Sequence, residues 1–232
     1  MQKNAAVILS AGAGKRMHQS MPKQYLSLCG KPVIAWTIEV FQQSPDIDEI
    51  VLVTGPDQVM KCREEIVKRY GLTKVSRIVP GGEERGDSVL CGLHALSDDI
   101  SCVLIHDGAR PLVSQEVIVR AAEAAALYGA AAVAVPARDT VKIVDEQEMV
   151  VSTPDRRTLR MMQTPQAFSY PLILAAYEKV FADGVTVTDD AMAAEYAGAR
   201  VKIVEGDVRN IKITVPQDLL LAELLIKEWK RT

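Results

Sequence analysis

The residues with the most chemistry to offer near the start of the chain lie in SAGAGKRMHQSMPKQY, Ser10 to Tyr25, directly behind the apolar run AAVIL. Small residues at Ser10, Ala11, Gly12 and Gly14 let a ligand approach the backbone, whose N–H groups can form an anion-binding nest. Lys15, Arg16 and Lys23 add positive charge. Glycines with cations suit a polyanion such as a triphosphate, and a tight strand–helix turn with solvated basic residues is the plainer alternative. Two other glycine-rich phosphate binders do not match. Met17 stands where a dinucleotide fingerprint needs its third glycine, and GAGKRM lacks the Gly-Lys-Ser/Thr triplet of a P-loop. A second glycine-rich loop, GGEERGDSV (81–89), follows a strand and opens a helix, and HDGARP (106–111) ends another strand. Asp107 in that third motif is of the type that holds Mg²⁺ together with phosphate oxygens.

These loops need a scaffold that brings them to one edge. AVIL (6–9), EIVLVTG (49–55), SRIVPGG (76–82), CVLIHDG (102–108), AAVAVPA (131–137) and RVKIVEG (200–206) read as strands, the first five too continuously apolar for a sheet with one solvated face. PVIAWTIEVFQQS, DQVMKCREEIVKRYG, DSVLCGLHALSDD and SQEVIVRAAEAAALYG carry apolar residues at helical spacing, and Gly71 and Gly129 are expected left-handed helix stops. Alternation of this kind predicts an α/β domain with a mostly parallel sheet covered on both faces. Ligands of such sheets bind outside the carboxyl ends of the strands, where all three loops fall. DTVKIVDEQEMVVST departs from the pattern and reads as two short strands about a polar turn, too small to be stable alone. Thr214 and Gln217 have capping-box spacing ahead of the last helix.

Bulk properties narrow the function. The chain has 232 residues, 48% hydrophobic, enough for one sizeable core, and a net charge of −3 with no basic block, which argues against nucleic-acid and acidic-membrane partners. No apolar run reaches the ~20 residues of a membrane span, and no leader is expected before the first strand. Cys29, Cys62, Cys91 and Cys102 show no C-x-x-C spacing and read as buried, reduced thiols, so a cytoplasmic protein is expected. His18, His94 and His106 read as loop or core residues, and Trp36 and Trp229 as core.

In order and spacing, SAGAGKRM…PKQY, GGEERGDSV, HDGARP, VPARDTVK, TPQAF, TDDA and NIKIT resemble the 2-C-methyl-D-erythritol 4-phosphate cytidylyltransferase family, from about residue 6 to the last helix. The resemblance implies a Rossmann-like nucleotidyltransferase fold over 1–232 as one domain, and a homodimer interlocked through a protruding β-arm at about 138–162. The implied reaction joins CTP and methylerythritol phosphate into CDP-methylerythritol and pyrophosphate, with Mg²⁺ or Mn²⁺, on the non-mevalonate route to isoprenoids. Carried over by motif, Arg16 and Lys23 stabilise the transition state. Ser10, Ala11, Gly12 and Gly14 hold the nucleotide through the backbone, Gly82, Glu83 and Ser88 contact base and ribose, Asp107 serves the metal, and Gly108 lies near the ribose. Arg110, Thr140, Arg156, Thr188 and Lys212 surround the acceptor, with Arg156 and Lys212 also catalytic and some of these residues reaching in from the partner subunit.

The chain departs from common family choices at Leu9, Ser10, Glu83 and Gly108, which bears on base and ribose contacts. Two alternatives remain. A ribitol-5-phosphate cytidylyltransferase shares the fold and chemistry, but tends to read AGG and HDSVRP where this chain has AGAG and HDGARP. A non-catalytic CTP-binding module would not need Lys23, Asp107 and Lys212 together.

Overall fold

The computed structural model describes residues 3–12 and 22–229. Gly14, Arg16, His18 and the side chain of Trp229, all read from sequence above, lie outside the described residues. The central sheet has seven strands in the order β11-β7-β10-β6-β1-β4-β5. They are β1 (Lys3–Ser10), β4 (Glu49–Thr54), β5 (Val75–Pro80), β6 (Ile100–Asp107), β7 (Ala130–Pro136), β10 (Arg160–Ser169) and β11 (Lys202–Glu205). Two small hairpins stand apart, β2 (Ser27–Leu28) with β3 (Lys31–Pro32), and β8 (Ile143–Val144) with β9 (Val150–Ser152). The main sheet is parallel except at β10, which runs antiparallel to both of its neighbours.

Both faces of the sheet are covered, which accounts for the continuous apolar runs. On β1 and β4, Ala6, Ile8, Ile50 and Leu52 face one cluster, with Ile34, Ile38 and Phe41 of α1 (Val33–Gln43) and Ile118 of α4 (Gln115–Tyr128). The alternate residues Ala5, Val7, Val51 and Val53 face the other cluster. They meet Val89 and Leu93 of α3 (Arg85–His94) and Ile173 and Tyr177 of α5 (Tyr170–Ala182). Period-two alternation thus sends one strand's residues into two cores, and each large side chain buried there contributes about 1.5–3 kcal/mol.

The helix stops fall where expected. Gly129 ends α4 at φ 80°, and Gly71, at φ 61°, follows a helix that starts as α2 (Val59–Lys61) and continues with π geometry over Cys62–Lys68. The cap of α7 (Pro216–Trp229) differs from expectation. Asp218 Oδ2 accepts from the backbone N–H groups of Thr214 and Val215 at 2.7 and 2.9 Å, while the Thr214 hydroxyl donates to Lys212 O. Asp218 sits three residues beyond the capping residue and carries a full negative charge, so it takes the role read for Thr214 and Gln217. All four cysteines are free, as expected, but only Cys62 and Cys102 are buried; Cys91 is exposed because it lies on the outer side of α3, and Cys29 is half-buried.

Candidate active site

A cleft of about 520 Å³ opens at the carboxyl ends of β1, β5 and β6. Of the residues read from sequence, Ser10, Ala11, Gly12, Lys23, Gly82, Glu83, Ser88, Asp107 and Lys212 line it. The first and second loops pack directly together: a Cβ on Gly81 would come within 2.5 Å of Ser88 Oγ and 2.6 Å of Ala11 Cβ. Glycine at position 81 is therefore required for the loops to share one wall. The second loop is also locked locally, since Glu84 and Asp87 form a reciprocal capping box at the start of α3, with Glu84 N–H donating to Asp87 Oδ2 at 2.8 Å.

Lys23 reaches the cleft because its neighbours turn inward. Gln24 Nε2 donates to Ser10 O at 2.6 Å, and the Tyr25 hydroxyl lies 2.9 Å from Thr54 Oγ1 and 3.0 Å from Cys62 Sγ. These buried anchors fix the short 3₁₀ turn Lys23–Tyr25, and Lys23 Nζ donates to Ile213 O at 2.9 Å. The first loop is thereby joined to the NIKIT segment, whose Lys212 faces Asp107.

Asp107 is the electrostatic centre. Its Oδ2 lies 2.8 Å from Lys212 Nζ and 3.6 Å from Arg110 Nε, and its Oδ1 lies 3.7 Å from Arg85 Nε. Burial alone would raise its pKa, but Lys212, Arg85 and Arg110 outweigh burial and hold the carboxyl far below the ordinary range. Asp107 is thus ionised at any physiological pH. Its backbone N–H donates to Thr164 Oγ1 at 3.0 Å, and the same hydroxyl lies 3.0 Å from His106 Nδ1. His106 is fully buried; burial pushes its pKa down to about 4, and its Nε2 lies 3.1 Å from Arg110 O. A neutral ring held at both nitrogens serves as structure, in line with its reading as a core residue.

Five sequence candidates do not line this cleft. Gly108 sits beneath the first loop, where a Cβ would come within 2.6 Å of Ile34 Cδ1 and 2.8 Å of Leu9 O, so close packing explains the glycine. Arg110 is mostly buried behind Asp107 and donates to Asn210 O at 2.8 Å. Thr140, Arg156 and Thr188 are exposed; Arg156 Nη1 donates to Arg138 O at 2.7 Å, and Thr188 Oγ1 is 3.6 Å from Met192 Sδ. The sequence reading missed Arg85, Glu84 and Gln24, which line the cleft, and Asp190, which pairs with Arg85. The motifs GGEERGDSV and TDDA contained three of them, Glu84, Arg85 and Asp190, but charges in loops read as solvated unless a distant partner is known.

Three basic side chains (Lys23, Arg85, Lys212) and three acidic ones (Glu83, Glu84, Asp107) line the cleft among the described residues. No cluster of three or more His, Cys, Asp or Glu side chains capable of holding a metal occurs among the described residues. A self-sufficient metal cage is therefore absent from that set. One permanently ionised carboxylate at the cleft wall fits a hard cation whose remaining ligands are phosphate oxygens and water. The arrangement can receive a polyphosphate on two backbone loops, place cations around it, and seat a second anion near Lys212.

Comparison with known proteins converges on one family. The model of the family described as IspD: 2-C-methyl-D-erythritol 4-phosphate cytidylyltransferase matches residues 4–228. The 2-C-methyl-D-erythritol 4-phosphate cytidylyltransferase of Geobacter metallireducens is 50% identical over 226 residues, covering 96% of this chain and 97% of that protein. The protein of the same name from Caldanaerobacter subterraneus subsp. tengcongensis is 46% identical over 224 residues, covering 97% of this chain and 99% of that one. The crystal structure of the 4-diphosphocytidyl-2C-methyl-D-erythritol synthase of Anaerococcus prevotii superposes with a TM-score of 0.87 at 34% identity, covering 97% of this chain and 96% of that one. With cleft, fold and full-length similarity in agreement, this chain belongs to the 2-C-methyl-D-erythritol 4-phosphate cytidylyltransferase family.

Proposed function

We propose that the cleft transfers the cytidylyl group of CTP to 2-C-methyl-D-erythritol 4-phosphate, giving CDP-methylerythritol and pyrophosphate for isoprenoid precursor synthesis. The observation that carries this reading is Asp107, set between the two glycine-rich loops and paired with Lys212 in the cleft that Lys23 also lines. A mere CTP-binding module has no use for cations on the acceptor side of that carboxylate, and the family is one of enzymes. Ribitol 5-phosphate is not favoured as acceptor.

The roles follow from charge. Backbone groups from Ser10 to Gly12 and at Gly82 hold the nucleotide, with Glu83 and Ser88 at base and ribose and Gly14 completing the first loop. The described lining is neutral overall, so a triphosphate with several negative charges needs more positive charge than it supplies. Arg16 is one source and a divalent cation, Mg²⁺ or Mn²⁺, held at Asp107 is the other. The metal would supply charge neutralisation on the phosphates; the chain's own Arg16 and Lys23 stabilise the pentacoordinate transition state. The attacking group is a phosphate monoester whose second pKa of about 6 leaves it mostly dianionic, so no general base is required. This suits a site whose buried histidine is already committed to Thr164 and Arg110. Lys212 positions the acceptor phosphate, with Arg110, Thr140, Arg156 and Thr188 around the acceptor. The exposed arm supplies Thr140 and Arg156 to the site of a second subunit, making the working unit a homodimer, and the enzyme acts in the cytoplasm.

The test is CTP-dependent release of pyrophosphate with methylerythritol phosphate and, in parallel, with ribitol 5-phosphate. Turnover with the first acceptor and little with the second is expected. Preference for ribitol 5-phosphate, or binding of CTP without turnover, would overturn the reading.

A further inference from the structure

Two motifs, GGEERGDSV and TDDA, meet at a contact that the proposed roles do not use. Arg85, the first residue of α3, donates from Nη1 and Nη2 to Oδ1 and Oδ2 of Asp190, both at 2.7 Å, across 105 positions of sequence. Asp190 opens α6 (Asp190–Tyr196) and is fully buried, and its Oδ1 also accepts from the Tyr177 hydroxyl at 2.6 Å. From the other side, Gln166 of β10 holds the same turn. Its Oε1 accepts from Ala191 N–H at 2.7 Å, and its Nε2 donates to Asp189 Oδ2 at 2.9 Å. Thr188 stands exposed just ahead of this clamp.

We infer that Arg85 is a positioning residue that couples the nucleotide loop to the acceptor side of the site, by fixing the turn that carries Thr188 against the start of α3. Its paired, fork-shaped contact commits the guanidinium to Asp190, while Nε at 3.7 Å from Asp107 Oδ1 adds an electrostatic link to the metal carboxylate. A lysine at this position can meet one oxygen of Asp190 but cannot hold both and face Asp107. Nucleotide seated on Gly82 and Glu83 therefore presses on a loop whose next rigid neighbour is the acceptor turn.

The inference rests on the reading of Thr188 as an acceptor contact, and a double-mutant cycle separates the two. Arg85→Lys is compared with the unmodified enzyme, Thr188→Ala and the double variant, by measuring KM for methylerythritol phosphate and for CTP. Arg85→Lys is expected to raise the methylerythritol phosphate KM about tenfold while the CTP KM changes less than about threefold. In the Thr188→Ala background the same change should add less than about threefold, because the hydroxyl being positioned is gone. Asp190→Asn, which keeps the shape but removes the charge and turns one of the two accepting oxygens into an NH₂ donor, breaks the paired contact from the other end. It gives the same pattern and serves if Arg85→Lys does not fold. An equal effect of Arg85→Lys in both backgrounds, or a CTP KM that rises as much as that of the acceptor, overturns the coupling while leaving Thr188 in place. A Thr188→Ala enzyme with unchanged acceptor KM overturns the acceptor-turn reading and the coupling with it.

Discussion

The nucleotide cleft and the β8–β9 arm are built on opposite principles. In the cleft several polar side chains have fixed partners: Asp107 meets Lys212, Lys23 meets Ile213 O, and Gln24 meets Ser10 O. The arm is exposed at every residue from 138 to 153, including Val141, Ile143, Val144, Met149, Val150 and Val151. Its two short strands are organised mainly by their own turn, where Asp145 Oδ1 accepts from the N–H groups of Gln147 and Met149. Apolar residues repeated along a ribbon too small to be stable alone are the signature of a surface meant to be covered. The contrast teaches that one chain carries a finished cleft and an unfinished arm, which on the proposed reading are the nucleotide side and the part of the acceptor side offered to a second subunit.

The largest expected effect lies on the finished side. Lys23→Ala should lower kcat about 10²–10³-fold, the usual worth of a transition-state cation in a preorganised site. Its melting temperature should stay close to that of the unmodified protein. Near-normal kcat would remove Lys23 from the chemistry. Next comes Asp107→Asn, which keeps the shape of the carboxylate but not its charge. The Mg²⁺ concentration for half-maximal activity should rise about tenfold or more. An unchanged metal requirement, measured by titration against chelator, would move the cation site elsewhere. On the unfinished side, Arg156→Ala should raise the KM for methylerythritol phosphate about tenfold, the scale of one charged hydrogen bond, with CTP binding nearly intact.

The smallest effect on turnover at neutral pH concerns His106. Its folded pKa of about 4 lies below the unfolded value of 6.5, so the unfolded chain takes up the proton first. Stability should therefore fall as pH drops from 6.5 towards 4, by about 3 kcal/mol from this group. The Asp107 carboxyl, also depressed, adds its loss only below its ordinary value of 3.8. Urea unfolding of His106→Gln should show a flatter pH dependence in that window, and an equal slope would assign it to other groups.

Most strands were legible because they repeat β-branched or small apolar residues without interruption, as in β1 and β4. SRIVPGG, expected to be buried, instead forms the edge strand β5, whose residues are half-buried or exposed because one side has no neighbouring strand. The glycine loops and Asp107 were legible because phosphate chemistry demands particular residue types next to a strand end. β10 was not, since RMMQTPQAFS mixes polar residues with a proline that argues against an interior strand. Only its pairing with β6 and β7 reveals the role. Arg85 and Asp190 escaped for a related reason: each looks like a solvated loop charge until the fold brings them to 2.7 Å. Gly108 carries a constraint of another kind that the motif did not reveal, since a Cβ there would clash with Ile34, Leu9 O and Ser10.

The division of labour between the regions is tested most directly by mixing two crippled proteins. Lys23→Ala carries an intact arm, and Arg156→Ala carries an intact nucleotide side. Assayed at low methylerythritol phosphate after subunit exchange, an equal mixture should regain up to about a quarter of unmodified activity. Half of the dimers are then mixed, and each mixed dimer holds one site with both residues present. A monomer in solution, or mixed dimers that form and regain nothing, would contradict an arm that acts across the interface.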